Sequence, residues 1–194
     1  MDSAFILKLI RHAPTAGNKA KKYIGWTDEA VVPFQALPDF TVQEIWGSDL
    51  QRCRQTADQL FPAAQYRVNP DWRECYFGSW EGKTYAQLEY DETYQRWLND
   101  PNEVAPPGGE RLSDVAERVN RAVRALPHGK EHIVITHGGP IRLLLKQGNG
   151  GSFWEQPARH GICYTLTWNS RKECEEGARC ISYSAAPITA SGSM

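Results

Sequence analysis

Three things are scarce in this 194-residue chain: net charge, long apolar runs and paired cysteines. Twenty-two basic and twenty-three acidic side chains leave a formal charge of −1, so no excess of either sign marks a nucleic-acid or membrane surface. No apolar run approaches the roughly 20 residues that cross a bilayer. No basic segment precedes an apolar one near the start, so a secretory signal is not expected and a cytoplasmic protein is. The cysteines are Cys53, Cys75, Cys163, Cys174 and Cys180, an odd number with no C-x-x-C pair. They read as reduced thiols, with a Cys174–Cys180 bridge across a hairpin left open. Repeats and low-complexity tracts are missing too. What is present is ordinary for a globular protein, 41% hydrophobic and 23% charged, and long enough for a substantial core in one domain spanning 1–194.

The run Phe5-Ile6-Leu7-Lys8-Leu9-Ile10 reads as a buried strand, and its apolar character stops at Arg11-His12. Pro14 blocks further pairing and Gly17-Asn18 is loop chemistry. Arg11 and His12 therefore sit at a strand end, where open α/β sheets place ligands. Lys19, Lys21 and Lys22 follow, either a solvated face or a lure for an anion. Gly25-Trp26-Thr27-Asp28 is turn-like. A second strand is expected at Val42–Gly47, then a helix from Leu50 to Leu60 capped by Ser48 or Asp49. Arg52 lies in its first turn, where the helix dipole disfavours a cation. It is either a surface residue or the partner of a local anion.

A short strand is expected at Tyr66–Val68. The aromatic stretch Trp72-Arg73-Glu74-Cys75-Tyr76-Phe77-Gly78-Ser79-Trp80-Glu81-Gly82 then brings two carboxylates among large rings. Such rings can desolvate an acid and raise its pKa, as suits a proton donor, or they can simply pack with Glu74 pointing outward. Helices are expected at Tyr85–Leu98 and at Arg111–Leu126, separated by a Pro/Gly loop. Residues 71–109 thus form an insertion of loops and helix, expected to cover the strand ends as a lid. Ile133-Val134-Ile135-Thr136 is a β-branched strand ending at His137-Gly138-Gly139-Pro140, with a helix from Ile141 to about Lys146. Amides at such a glycine-rich turn bind anions. Strands near Cys163–Trp168 and Cys180–Ser184 flank a polar turn, and the tail is expected to fray. Strands alternating with helices predict a three-layer α/β sandwich, helices on both faces of a mainly parallel sheet.

Two strand ends thus carry His12 and His137, with Arg11 and Arg52 as candidate companions. Zinc does not suit them, because no third ligand has suitable spacing and arginines repel a cation. His128, His132 and His160 read as surface or incidental residues. Two arginines, two histidines and free amides suit a phosphate group instead.

On five stretches in order, LIRHAPTAGN, SDLQRCRQTA, WRECYFGSWEG, PPGGERLSDVAERV and ITHGGPIRLLL, the chain resembles the histidine phosphatase superfamily. The resemblance implies a phosphomonoester phosphatase with no metal or other cofactor. His12 would be the phosphorylated nucleophile and Glu74 the proton donor. Arg11, Arg52 and His137 would bind the phosphoryl group, assisted by Asn18 and the Gly138 amide, with Thr27 in the same binding set. The implied partner is a phosphorylated small molecule, the implied assembly a monomer or homodimer. Ala13 departs from the glycine usual after the histidine, at little cost where φ is negative. Cys75 stands where mutases of this family carry Arg, which disfavours the alternative of a phosphoglycerate mutase. A catalytically inactive phosphate-binding protein is a third alternative. Tyr23–Asp28, Phe77–Gly82 and Pro107–Glu110 look like the α-ribazole phosphatase type, which acts late in cobalamin assembly, and like broad-specificity phosphatases.

Overall fold

A computed structural model describes residues 3–36, 38 and 40–188. Six strands form one sheet: β1 (Phe5–Arg11), β2 (Glu44–Gly47), β3 (Gln65–Val68), β4 (Glu131–Thr136), β5 (Ile162–Trp168) and β6 (Ser182–Pro187), in the order β3-β2-β4-β1-β5-β6. The β3-β2, β2-β4 and β4-β1 pairings are parallel, while β5 runs against both β1 and β6. The sheet is mainly parallel with one reversed strand, and β1 and β4 sit at its centre. Both are apolar on two faces, as a strand covered on both sides must be.

The alternation of side chains sorts these residues into two cores. Leu7, Leu9 and Val134 face one way, against Val115 and Val119 of α5 (Leu112–Arg124) and Ile141 and Leu144 of α6 (Gly138–Asn149). Ile10, Ile133 and Ile135 face the other, against Cys53, Ala57 and Leu60 of α2 (Gln51–Leu60). Helices therefore cover both faces, the expected α/β architecture. Among the described residues no helix is long and apolar enough to cross a membrane.

Several local expectations are corrected. Neither Ser48 nor Asp49 caps α2: its N-cap is Leu50, without a side-chain bond. The first amide of α2 is met from outside by Asp28, whose Oδ1 accepts from Gln51 N–H at 2.9 Å. Asp49 is drawn off by an ion pair with Arg73, and Ser48 by His137. The helix expected at Tyr85–Leu98 is two, α3 (Tyr85–Leu88) and α4 (Glu92–Asn99), because the Asp91 side chain accepts from Tyr94 N–H and starts a new helix. The helix after His137 begins at Gly138, three residues before Ile141, with His137 as its N-cap. The polar turn after β5 contains α7 (Arg171–Glu175). The last strand runs to Pro187, further than expected; residues 189–194 of the tail lie outside the described residues. All five cysteines are free thiols, Cys174 and Cys180 included.

The segment 71–109 builds a small aromatic core of its own. Trp80, Leu88, Tyr94 and Trp97 are buried together, with Tyr23 and Phe77 packed against them. This cluster stands beside the ends of β1 and β4.

Candidate active site

His12 follows β1, and its amide donates to Thr136 O at 2.9 Å, continuing the pairing with β4 for one residue. Its ring is almost completely buried. His12 Nδ1 lies 2.7 Å from Ala13 O. A carbonyl only accepts, so Nδ1 carries the proton, and the neutral ring has its lone pair on Nε2. Burial, then the charges of Arg52 and Arg11, holds the His12 pKa well below the usual histidine value. The ring is thus neutral at physiological pH, with the Nε2 lone pair unprotonated. Ala13 does not have a positive φ, so the methyl group in place of the usual glycine strains nothing here.

His137 faces His12, ring centroids 5.0 Å apart. Its tautomer is the opposite one. Arg52 Nε–H donates to His137 Nδ1 at 3.2 Å, so Nε2 bears the proton and donates to Ser48 Oγ at 2.8 Å. Burial and Arg52 lower the pKa of this ring as well. Arg52 itself is fully buried in the first turn of α2. Its Nη1 and Nη2 donate to Thr27 O at 2.8 Å and Gly25 O at 2.5 Å. Of the two readings of this arginine, the surface one is excluded by its burial.

Arg11 is the less satisfied cation. Nη1 donates to Ala158 O at 2.8 Å, and Nε is buried with no partner. Among the described residues neither Arg11 nor Arg52 forms an ion pair. Gly17 and Asn18, expected in a loop, lie in the short helix α1 (Ala16–Lys19), where Asn18 closes a capping box with Thr15, its Oδ1 accepting from Thr15 N–H, which leaves its Nδ2–H groups for the cavity.

Glu74 enters from the insertion and points inward. Its carboxylate accepts from Cys75 N–H at 2.9 Å and from Gly139 N–H at 3.0 Å, the second amide of α6. A carboxylate at a helix N-terminus is favourably placed. The Gly138 amide has no protein partner among the described residues. Arg11, Asn18, Glu74, Gly138 and Gly139 line a cavity of about 220 Å³, together with the cations Lys22 and Arg142 and the rings of Tyr23, Phe77, Trp97, Phe153 and Trp154; His12, Arg52 and His137 are buried and are not part of its lining.

Thr27 has a different task from the one expected of it. Its hydroxyl donates to Glu81 at 2.6 Å, its carbonyl holds Arg52, and it does not line the cavity. Glu81 is saturated, accepting from the Gly25, Trp26, Thr27 and Phe77 amides as well. It builds the turn that holds Arg52. Gly25 is tight in this turn: a Cβ there would lie 2.1 Å from Cys75 O. Two further residues receive no role from the sequence. Arg118 on α5 donates to the carbonyls of Asp71, Arg73 and Glu74 and pairs with Glu110, which also takes the Tyr76 amide. This clamp fixes the backbone on either side of Glu74; its only sequence signal was the acid closing the Pro/Gly loop and an arginine eight residues later. His160, read as a surface or incidental residue, lies against His12, ring centroids 5.5 Å apart, its Nδ1 2.6 Å from His12 O. His132 is buried too, beside Phe5; His128 is exposed as expected.

The model of the histidine phosphatase superfamily (branch 1) matches residues 7–178. A bifunctional protein of Mycobacterium tuberculosis is 32% identical over 157 residues, covering 72% of this chain and 43% of that protein. The chain thus spans less than half the length of that relative. Glucosyl-3-phosphoglycerate phosphatase of the same species is 30% identical over 191 residues, 79% of this chain and 85% of its own. The α-ribazole phosphatase of Shigella flexneri has the same fold, with a TM-score of 0.72 at 24% identity over 86% of this chain and 92% of that one.

Proposed function

The chain belongs to the histidine phosphatase superfamily, and from that premise we propose that it is a phosphomonoester phosphatase working through a phosphohistidine on His12. The observation that carries this reading is the state of the His12 ring. Its Nδ1–H is committed to Ala13 O, so the Nε2 lone pair is available for in-line attack on phosphorus. Arg11 and Arg52, unpaired by carboxylates, supply the positive charge that phosphate needs; Arg11 has donors unspent, while each Arg52 nitrogen already donates within the protein. Asn18 and the Gly138 amide add donors on the cavity lining. His137 must exchange its Nδ1 bond from Arg52 for a proton before it can donate to the bound dianion. Glu74 gives a proton to the leaving alkoxide, then takes one from the water that attacks phosphohistidine.

Two observations support the phosphatase over the mutase alternative: Cys75 stands beside Glu74 where mutases carry Arg, and five aromatic rings line the cavity beside Lys22 and Arg142. Such walls suit a leaving group with a flat apolar body. Among the expected substrates α-ribazole 5′-phosphate fits that description, and we propose it ahead of phosphoglycerates.

The test is made with p-nitrophenyl phosphate on the wild-type protein and on Glu74→Gln. Nitrophenol is a good leaving group, so the first step survives the substitution while the second loses its base. Glu74→Gln gives a burst of about one equivalent of nitrophenol per site, then slow turnover with phosphohistidine accumulating on His12. Wild-type protein without turnover of any phosphomonoester removes the phosphatase reading. Faster hydrolysis of 3-phosphoglycerate than of α-ribazole 5′-phosphate removes the substrate assignment alone.

A further inference from the structure

The sheet is incomplete on one side of the nucleophile. β1 pairs with β5 in antiparallel register as far as Ile10, opposite Cys163. Beyond that point β5 has one residue left, Ile162, and the chain before it turns at Gly161, φ +75°. A Cβ on Gly161 would meet nothing within 4 Å, so glycine is needed there for its backbone alone. The ladder between β1 and β5 therefore stops at Ile10, and His12 lies past the last residue of β5. Residues 158–160 fill the place. Ala158 O accepts from Arg11, Arg159 N–H donates to Tyr164 Oη at 2.7 Å, and the His160 ring donates to His12 O. The strap thus holds both chemical residues of the strand end and is itself pinned to β5.

The His12 carbonyl and the Ala13 amide belong to one peptide plane. His160 holds the oxygen edge. The opposite edge is held by Thr56: Ala13 N–H donates to Thr56 Oγ1 at 2.8 Å, and that hydroxyl donates to Arg52 O at 2.6 Å. The plane cannot rotate while both contacts stand. Its rotation is what would swing the next carbonyl, Ala13 O, which is the group that keeps the proton on His12 Nδ1.

We propose that His160 is a positioning residue for the nucleophile, acting with Thr56 as a two-sided clamp on the His12–Ala13 peptide that holds His12 in its attacking tautomer. Resting on the phosphohistidine reading of His12, it adds the device that prepares that ring. Either protonation state of His160 can donate from Nδ1. Its burial lowers its pKa to about 4, so the ring adds no positive charge beside His12 at neutral pH.

Three substitutions separate the hydrogen bond from the volume. His160→Phe keeps a ring and removes the donor. His160→Ala also makes room for a water. His160→Asn places an amide N–H near the position of Nδ1. Two readouts are needed: steady-state kinetics with p-nitrophenyl phosphate, and ¹⁵N spectra of the histidine rings, in which His12 is identified by its loss in His12→Ala. In His160→Phe the His12 signal shifts toward the Nε2–H tautomer. Its kcat falls by about ten- to a hundredfold, the cost of a misplaced reacting group, while KM changes by less than about threefold. His160→Asn restores the tautomer and most of kcat. An unchanged His12 tautomer in a folded His160→Phe overturns the proposal, as does an Asn variant no better than Ala. Should the Phe variant not fold, the Asn–Ala comparison decides alone. The spectra read the tautomer whether or not any phosphate ester is turned over, so failure of the phosphatase reading leaves its own mark, an inactive wild-type protein with the clamp intact.

Discussion

At the scale of single residues, the site depends on which hydrogen bonds are already taken. His12 presents Nε2 because Nδ1 is spent on Ala13 O, and Arg11 keeps one buried nitrogen that no protein group among the described residues satisfies. His12→Ala should lower phosphatase kcat on the order of 10⁴-fold or more, as removal of a covalent nucleophile does, while circular dichroism stays that of the wild type. Near-normal turnover by the folded variant would remove the covalent route. Gly139 offers a subtler probe. A Cβ there would come within 2.2 Å of Glu74 Oε1, the mobile end of a side chain, and meets no backbone that close. Gly139→Ala should therefore displace the carboxylate, lowering kcat by about 10² in line with the loss of general acid–base catalysis. Stability should change by no more than about 1 kcal/mol, because alanine is the better helix former. Equal activity in this variant would show that Glu74 does its work from another position. Arg11, His12 and His137 were legible in the sequence because an apolar strand gives way to a polar residue at each. His160 was not: one histidine in a polar loop carries no local pattern, and only the end of β5 gives it a purpose.

At the scale of elements, the strands were readable because both faces of the central ones are buried and the apolar runs are continuous. The long helix expected over Tyr85–Leu98 failed for a local reason that is visible afterwards. Asp91 caps a new helix, and the aromatic residues before it join a cluster instead of a helical stripe. The cap expected at Ser48 or Asp49 failed because both side chains have stronger claims elsewhere, a buried imidazole and an arginine. Such competition is tertiary and leaves no trace in residue order. The same holds for Arg118, a charged residue of α5 that the structure buries against the Glu74 segment. Arg118→Met strands the Glu110 carboxylate and three backbone carbonyls. Loss of one partner of a buried pair costs about 3–5 kcal/mol, and denaturant unfolding should show a loss of that size. The double variant Arg118→Met/Glu110→Met should recover part of it. A single variant within about 0.5 kcal/mol of wild type, the range of ordinary surface substitutions, would show that the Glu74 segment needs no clamp.

At the scale of the whole molecule, the near-neutral net charge hides an uneven distribution. Positive charge is concentrated, unpaired, where β1, α2 and α6 converge, and the same convergence buries three histidines. His12, His137 and His160 are all held below the usual histidine pKa, by burial first and by neighbouring arginines next; His132, across the sheet, is lowered by burial and Arg171. The sign of the consequence follows from linkage. In the unfolded chain these rings take up protons near pH 6.5; in the folded protein they do not. Above that pH both states are neutral and nothing is lost. As pH falls below it, the unfolded state binds protons that the native state refuses, so stability declines and keeps declining until the folded pKa is reached. Each ring that stays neutral contributes about 1.4 kcal/mol per pH unit. His12 and His137, both wholly enclosed, should together give a slope of about 2 kcal/mol per unit near pH 6, where the unfolded rings are about three-quarters protonated. His160 and His132 add in the same direction. Urea unfolding between pH 7.5 and 5.5 measures this directly. His12→Asn removes one titrating ring, and its slope should be shallower than that of the wild type by about one proton's worth. A wild-type stability that is flat across this interval would mean that the rings accept protons in the folded state. His12 would then lack the free lone pair on which the proposed chemistry depends.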